Sequence, residues 1–165
     1  MRTLYILDDL FIADKERFYN IFNLWMKKDF HKRLKLLSFI RSNIFDTPTA
    51  EAMKTMNFAS VRFGAESGSN RVLKLLNKQT TVEKHQKTID ICNSIGLPIL
   101  ASFMYDIPGE TEEDKRLTAE FKLKNEGKLK NGGHYRFIPF PGTKFYNNED
   151  LLTTNMNLRK KLRKG

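Results

Sequence analysis

The 165-residue chain is poor in the residues that close disulfides and hold metals. Cys92 is its one cysteine, so no disulfide can form within it, which suits a reducing cytosol. His31, His85 and His134 stand too far apart to match any metal-ligand spacing. No apolar run reaches the roughly 18 residues of a membrane span. Near the start, Leu4 to Leu7 run straight into Asp8 and Asp9, which is not the pattern of a signal peptide. These absences exclude a disulfide-stapled scaffold, a spanning helix and a histidine metal centre. They set the expectation of a cytoplasmic protein.

Hydrophobic residues make up 40% of the chain, enough for a packed core at this length. The expectation is one domain over residues 1–147, followed by a basic tail over 148–165. The net charge of +10 invites a nucleic-acid reading. Yet Arg159, Lys160, Lys161, Arg163 and Lys164 lie in the tail, where charge runs are usually solvated. No aromatic-basic binding motif accompanies them, so neither nucleic acid nor membrane is expected as a partner.

Short apolar runs alternate with helical patterns. The strand-like runs are RTLYIL, KLLSFI, SVRFGA, PILASFMY and HYRFIPF. Asp14 to Asp29 places Phe18, Ile21, Phe22 and Trp25 on one helical face. Thr47 reads as a cap before the first-turn Pro48, and Ser69 as the cap of a short helix carrying Val72, Leu73 and Leu76. Thr80 and Glu83 fit a capping box, Gly96 a left-handed stop, and Thr111 a cap before the acidic turn Glu112-Glu113-Asp114. Gly132 and Gly133 read as the turn into the last strand. Alternation with connections of this length predicts an α/β fold with parallel strands joined by crossover helices, either an open doubly wound sheet or a barrel-like one.

Every apolar run ends in polar or turn-forming residues: Asp8-Asp9, then Arg41-Ser42-Asn43, Glu66-Ser67-Gly68-Ser69, Asp106 with Pro108-Gly109-Glu110, and Pro141-Gly142-Thr143. In parallel α/β proteins these strand ends share one face, where ligands bind. Strands must also end in turns, and turns are polar, but all five together argue for a site. Asp8 and Asp9 alternate in direction, so one faces the site and the other caps a loop, a metal-binding pair being the alternative. Arg41 suits a carboxylate or phosphate, or an ion pair with a strand-end acid. Glu66 suits an amine or hydroxyl, or caps the helix begun by Ser69. His85 and Cys92 lie on one helical stripe and read as packing residues.

The segments SVRFGAESGSNRVLKLLNKQTT, ASFMYDIPGETEED and FIPFPGTKFY resemble the radical S-adenosylmethionine superfamily, closest to the group that often carries a cobalamin-binding domain upstream. LYILDDLFIADKERF is similar to the family's second strand and following helix, and IRSN to its third strand end. The resemblance implies a partial (β/α) barrel with about five parallel strands. It also implies S-adenosylmethionine bound to a 4Fe–4S cluster and cleaved by one electron to a 5′-deoxyadenosyl radical. By match, Asp8 and Asp9 point toward the cofactor cavity, Glu66 and Ser67 serve the ribose or methionine end, and Arg41 meets the carboxylate. Met104, Asp106 and Glu110 lie near the adenine, with Glu110 holding its loop.

Two departures stand out. The family's C-x-x-x-C-x-x-C, whose thiolates a cluster requires, is absent from the sequence. Asp106 stands where the family usually has glycine. The chain is therefore expected to be the C-terminal part of such a core, beginning near the second strand and inactive alone. Its partners would be the missing N-terminal segment and a small-molecule or macromolecular substrate, with cobalamin reserved for full-length relatives. The alternatives are a cluster-free nucleotide- or partner-binding remnant, or a carboxylate–Mg²⁺ enzyme using Asp8, Asp9, Glu66 and Asp106. A first strand lacking its neighbour would leave an open edge, so self-association is expected.

Overall fold

A computed structural model describes residues 2–8, 11–143 and 145–146. Strands β1 (Arg2–Ile6), β2 (Leu34–Phe39), β3 (Phe58–Glu66), β4 (Ile99–Tyr105) and β5 (Lys130–Arg136) form one sheet in sequential order, every pair parallel. Parallel neighbours cannot be joined by a tight turn, so each crossover carries helix. These are α1 (Lys15–Lys27), α2 (Thr47–Thr55), α3 (Asn70–Leu75) with α4 (Val82–Ser94), and α5 (Glu112–Lys124). The result is the expected partial barrel.

The strand period of two decides which side chains meet the helices. Leu36 and Ser38, then Val61, Phe63 and Ala65, then Ile99, Ala101 and Phe103 are buried on the helical side. There they pack with Phe18, Met53, Ile89, Cys92 and Phe121 into one core. The intervening positions, Leu37 and Phe39, Arg62 and Gly64, Ser102 and Met104, lie on the other, concave face and are not buried. Trp25 anchors α1 by donating its ring N–H to the Met56 carbonyl at 3.0 Å.

Local chemistry explains the helix boundaries and corrects several of them. Ser69 and Thr111 cap as expected, the latter in a capping box with Asp114, and Asp14 caps α1. The cap of α2 is Asp46, not Thr47, because its carboxylate reaches the Thr49 N–H at 3.0 Å. The cap of α4 is Thr81, not Thr80. The Thr80 hydroxyl instead meets that of Ser42 at 2.8 Å. After α4, Gly96 (φ +66) closes a Schellman stop, with the Leu97 N–H on the Cys92 carbonyl at 2.8 Å and the Gly96 N–H on Asn93 at 3.1 Å.

The last strand was expected over His134–Phe140, but β5 starts at Lys130 and ends at Arg136. Gly132 and Gly133 therefore lie inside the strand rather than in a turn before it. A Cβ at Gly132 would stand 2.7 Å from the Ala101 carbonyl oxygen, Gly133 has φ +122, and the β4–β5 register slips between Ala101 and Ser102. The glycines mark a bulge and a close backbone approach.

Candidate functional site

The C-terminal ends of the five parallel strands share one rim, and β3, at the centre of the sheet, supplies its middle. Glu66 closes β3 with a left-handed backbone, φ +63. Its side chain folds back over Gly64, where a Cβ would stand 2.5 Å from Oε1. Lys78 donates to the same oxygen at 2.8 Å. That lysine is delivered by Asn77, itself at φ +55, just past the end of α3. Arg41, at the end of β2, makes no side-chain hydrogen bond or ion pair among the described residues and opens onto the same space. Together Arg41, Arg62, Gly64, Glu66, Lys78 and Ser102 line a cavity of about 540 Å³ on the concave face.

A smaller cavity of about 120 Å³ adjoins it, walled by Arg41, Ser42, Lys78 and Thr80. Ser42 is held by the buried imidazole of His85, whose Nδ1 lies 2.8 Å from Oγ. Burial lowers the pKa of His85 to about 4, so the ring is neutral. Expected as a packing residue, His85 is fully buried between the rings of Phe63 and Phe121 while also tethering Ser42.

The loop after Glu66 is pinned from behind. Ser67 is wholly buried, and its hydroxyl meets Thr118 Oγ1 at 2.9 Å and accepts from the Ser69 N–H at 3.1 Å. Gly68 has no room for a side chain, because a Cβ would meet the Leu117 carbonyl oxygen and Thr118 Cα at 2.7 Å. Asp114 accepts from Ser69 Oγ at 2.6 Å, from the Thr111 N–H at 2.8 Å and from the Arg71 guanidinium. Arg71 also donates to the Gly109 carbonyl at 2.7 Å. The guanidinium holds the Asp114 carboxyl well below the usual carboxylate range. The loops after β3 and β4 are thus clamped to each other.

The β4 end differs in character. Met104 lines a mainly apolar cavity of about 370 Å³ with Leu75, Leu76, Phe137, Ile138 and Phe140. Lys78 lies on both this cavity and the polar one. Asp106 has φ +56, a conformation that glycine adopts without penalty, and its carboxylate pairs with Arg136 at 2.9 Å. One carboxylate oxygen of Glu110 is buried with no hydrogen-bond partner among the described residues, and burial raises its pKa.

The sequence-expected residues therefore divide. Arg41 and Glu66 meet on the polar cavity, Met104 on the apolar one, and Glu110 and Asp106 on the loop beside it. Ser67 shapes its loop from within. Asp8 accepts from Arg17 at 2.9 Å, and Asp9 lies outside the described residues. Lys78 and Arg62 escaped the sequence reading. Asn-Lys directly after a helical run signals the first, and an arginine inside an apolar strand the second.

Two cofactor chemistries can be set against these residues. A cluster needs several thiolates, and Cys92 is fully buried in the core with its thiol pushed up to about 12. The residues present do not fit a cluster. Among the described residues no three His, Cys, Asp or Glu side chains gather as a metal site, and no helix is long and apolar enough to cross a membrane. A ligand with a carboxylate, hydroxyls and a flat ring does fit. It would find Arg41 and Glu66 on the polar cavity for its polar groups, and the Met104 cavity for its ring.

Known proteins share both sequence and fold with this chain. An uncharacterized methyltransferase of Pyrococcus horikoshii is 30% identical over 159 residues, which are 94% of this chain and 34% of that protein. The tRNA-2-methylthio-N(6)-dimethylallyladenosine synthase of Ehrlichia chaffeensis is 32% identical over 99 residues, 57% of this chain and 21% of that protein. The chain thus spans about a third or less of the length of these curated relatives. The archaeal Elp3 of Methanocaldococcus infernus superposes with a TM-score of 0.68 at 16% identity, over 93% of this chain and 40% of that one. The radical S-adenosylmethionine methyltransferase TsrM of Kitasatospora setae, solved with cobalamin and a 4Fe–4S cluster, gives 0.67 at 16% identity, over 75% and 26%. The Radical SAM superfamily profile matches residues 10–121. With its strand ends, its partial barrel and this match in agreement, the chain belongs to the radical S-adenosylmethionine superfamily.

Proposed function

We propose that this chain is the S-adenosylmethionine-holding, C-terminal part of a radical SAM core, that residues 1–147 form this unit ahead of a basic tail, and that the chain binds no cluster by itself. The observation that carries the reading is the junction of two cavities at one strand-end rim. The polar one presents Arg41 and Glu66, the apolar one Met104, and Lys78 borders both. Arg41 pairs with the methionyl carboxylate. Glu66 accepts hydrogen bonds from the ammonium and ribose hydroxyls, and Glu110 holds the loop beside the adenine. The Met104 cavity takes the adenine. The pinned Ser67-Gly68-Ser69 loop keeps Glu66 in place without touching the ligand. When bound, the cluster of this superfamily supplies the electron for cofactor cleavage. Its thiolate ligands, and the contacts that choose a small-molecule or macromolecular substrate, come from outside this chain.

Calorimetry with S-adenosylmethionine tests the binding half. One molecule is expected to bind per chain, and Arg41→Gln to weaken it about tenfold, equivalent to about 1.4 kcal/mol. An absence of heat in the unsubstituted chain overturns the reading. Anaerobic iron–sulfide reconstitution tests the other half, with no stoichiometric cluster expected. A cluster that forms in full and survives Cys92→Ser refutes it.

A further inference from the structure

The central strand of an all-parallel sheet is normally a near-continuous apolar run. β3 breaks that rule at its midpoint, where FASVRFGAE places Arg62 on the concave face. A local departure from pattern without a structural compensation is where function is to be sought. The compensation an arginine ordinarily finds in such a place is a carboxylate, and Arg62 pairs with none among the described residues. Its side chain makes no hydrogen bond or ion pair among the described residues, and its guanidinium lies 5.9 Å from the ring centre of Phe39, its register partner on β2. The Phe39 ring is braced in turn by Tyr5 on β1, edge-on at 6.0 Å.

The ring contact holds the guanidinium in place while leaving its donors free. Small residues flank it toward the rim, Gly64 two positions along and Ser102 paired with Gly64 on β4; the Glu66 carboxylate folds back over Gly64, and Arg62 lines the cavity beside it. The charges on this cavity are unequal. Arg41, Arg62 and Lys78 face one acid, Glu66, which Lys78 already engages. Two forked cations thus remain without an anion among the described residues, and a guanidinium fork matches a carboxylate or phosphate through two parallel hydrogen bonds.

We propose that Arg62 is an anion receptor on the concave face, deeper in the sheet than Arg41, and that the group this chain presents to its cofactor-binding rim is a substrate carrying a carboxylate or phosphate. The word substrate rests on the function proposed above. The anion site does not, and it is tested without the cofactor.

Amide and arginine side-chain resonances are followed by ¹H–¹⁵N NMR during titration with inorganic phosphate and, separately, acetate, with chloride at matched ionic strength as reference. Saturable shifts at Arg62, Gly64 and Ser102 are expected with at least one of the two oxyanions, and which one binds tighter distinguishes phosphate from carboxylate. Arg62→Gln is expected to weaken binding about tenfold or more, and Arg62→Lys, which keeps the charge but loses the fork, by a few-fold. Melting curves of both variants verify the fold. Shifts no larger than those with chloride overturn the proposal, as do shifts that persist unchanged in Arg62→Gln. Calorimetry with S-adenosylmethionine on the same samples keeps the outcomes apart. Loss of cofactor binding in the unsubstituted chain strikes the proposed function, whereas loss of the oxyanion response strikes the Arg62 site.

Discussion

The neutral imidazole of His85 joins the core to the rim. Burial lowers its pKa from 6.5 to about 4, so the unfolded chain takes up a proton in that interval that the folded chain refuses. Stability is then fully present above pH 6.5 and falls as the pH drops toward about 4, by about 3 kcal/mol at most from this group. His134, also lowered by burial, works in the same direction, and Glu110, raised by burial, in the opposite one. The variant therefore isolates the residue better than the slope alone. His85→Gln should flatten the decline in melting temperature between those two pH values relative to the unsubstituted chain. An unchanged profile contradicts a depressed histidine.

Among the elements, helix starts offer the sharpest discrimination, because the sequence presents two polar residues in a row at α2. Asp46 accepts from the Thr49 N–H, whereas Thr47 already lies inside the helix. Asp46→Ala should cost about 1 kcal/mol in chemical denaturation, and Thr47→Ala less than about 0.5 kcal/mol. Equal effects would restore the sequence-based choice of Thr47. The same ambiguity moved the α4 cap from Thr80 to Thr81, since adjacent hydroxyls look alike until backbone direction is known. Four of the five strands were legible within a few residues, because an apolar run bounded by turns needs no tertiary information. The last was not, because Lys130 to Gly133 owe their pairing to a tight approach to Ala101 that no periodicity records. That Arg41 and Glu66 share one rim was legible because strand ends gather by topology alone, whereas Met104 came only with the family resemblance. Arg62 and Lys78 were not, since the first is defined by which face it occupies and the second by the left-handed Asn77 before it.

At the scale of the molecule the sheet is unequally finished. β3 is paired on both sides, whereas the outer edge of β1 pairs with no strand among the described residues. Leu4 and Tyr5 on that strand, and Leu7 just beyond it, are exposed. Unpaired backbone beside exposed apolar side chains is a template for another strand. Sedimentation should therefore show concentration-dependent association of the isolated chain, reduced by Leu4→Lys and Tyr5→Lys. A monodisperse monomer at all concentrations counts against an adhesive edge. The same edge is where a strand bearing cluster ligands would complete the barrel under the function proposed above.

The burial of Cys92 has a practical side. With its only sulfhydryl sealed in the core and held protonated at neutral pH, the chain carries no reactive sulfur of its own. Gly127 has open space around its backbone, though its φ of +78 makes a replacement there mildly strained. Exposed Lys128 beside it is the easier position. A cysteine introduced at Lys128 would take a maleimide dye alone, with Cys92 left as it is. The dye would sit beyond the far end of α5, away from the strand-end rim, and report any change in anisotropy or distance on ligand addition without occupying that rim.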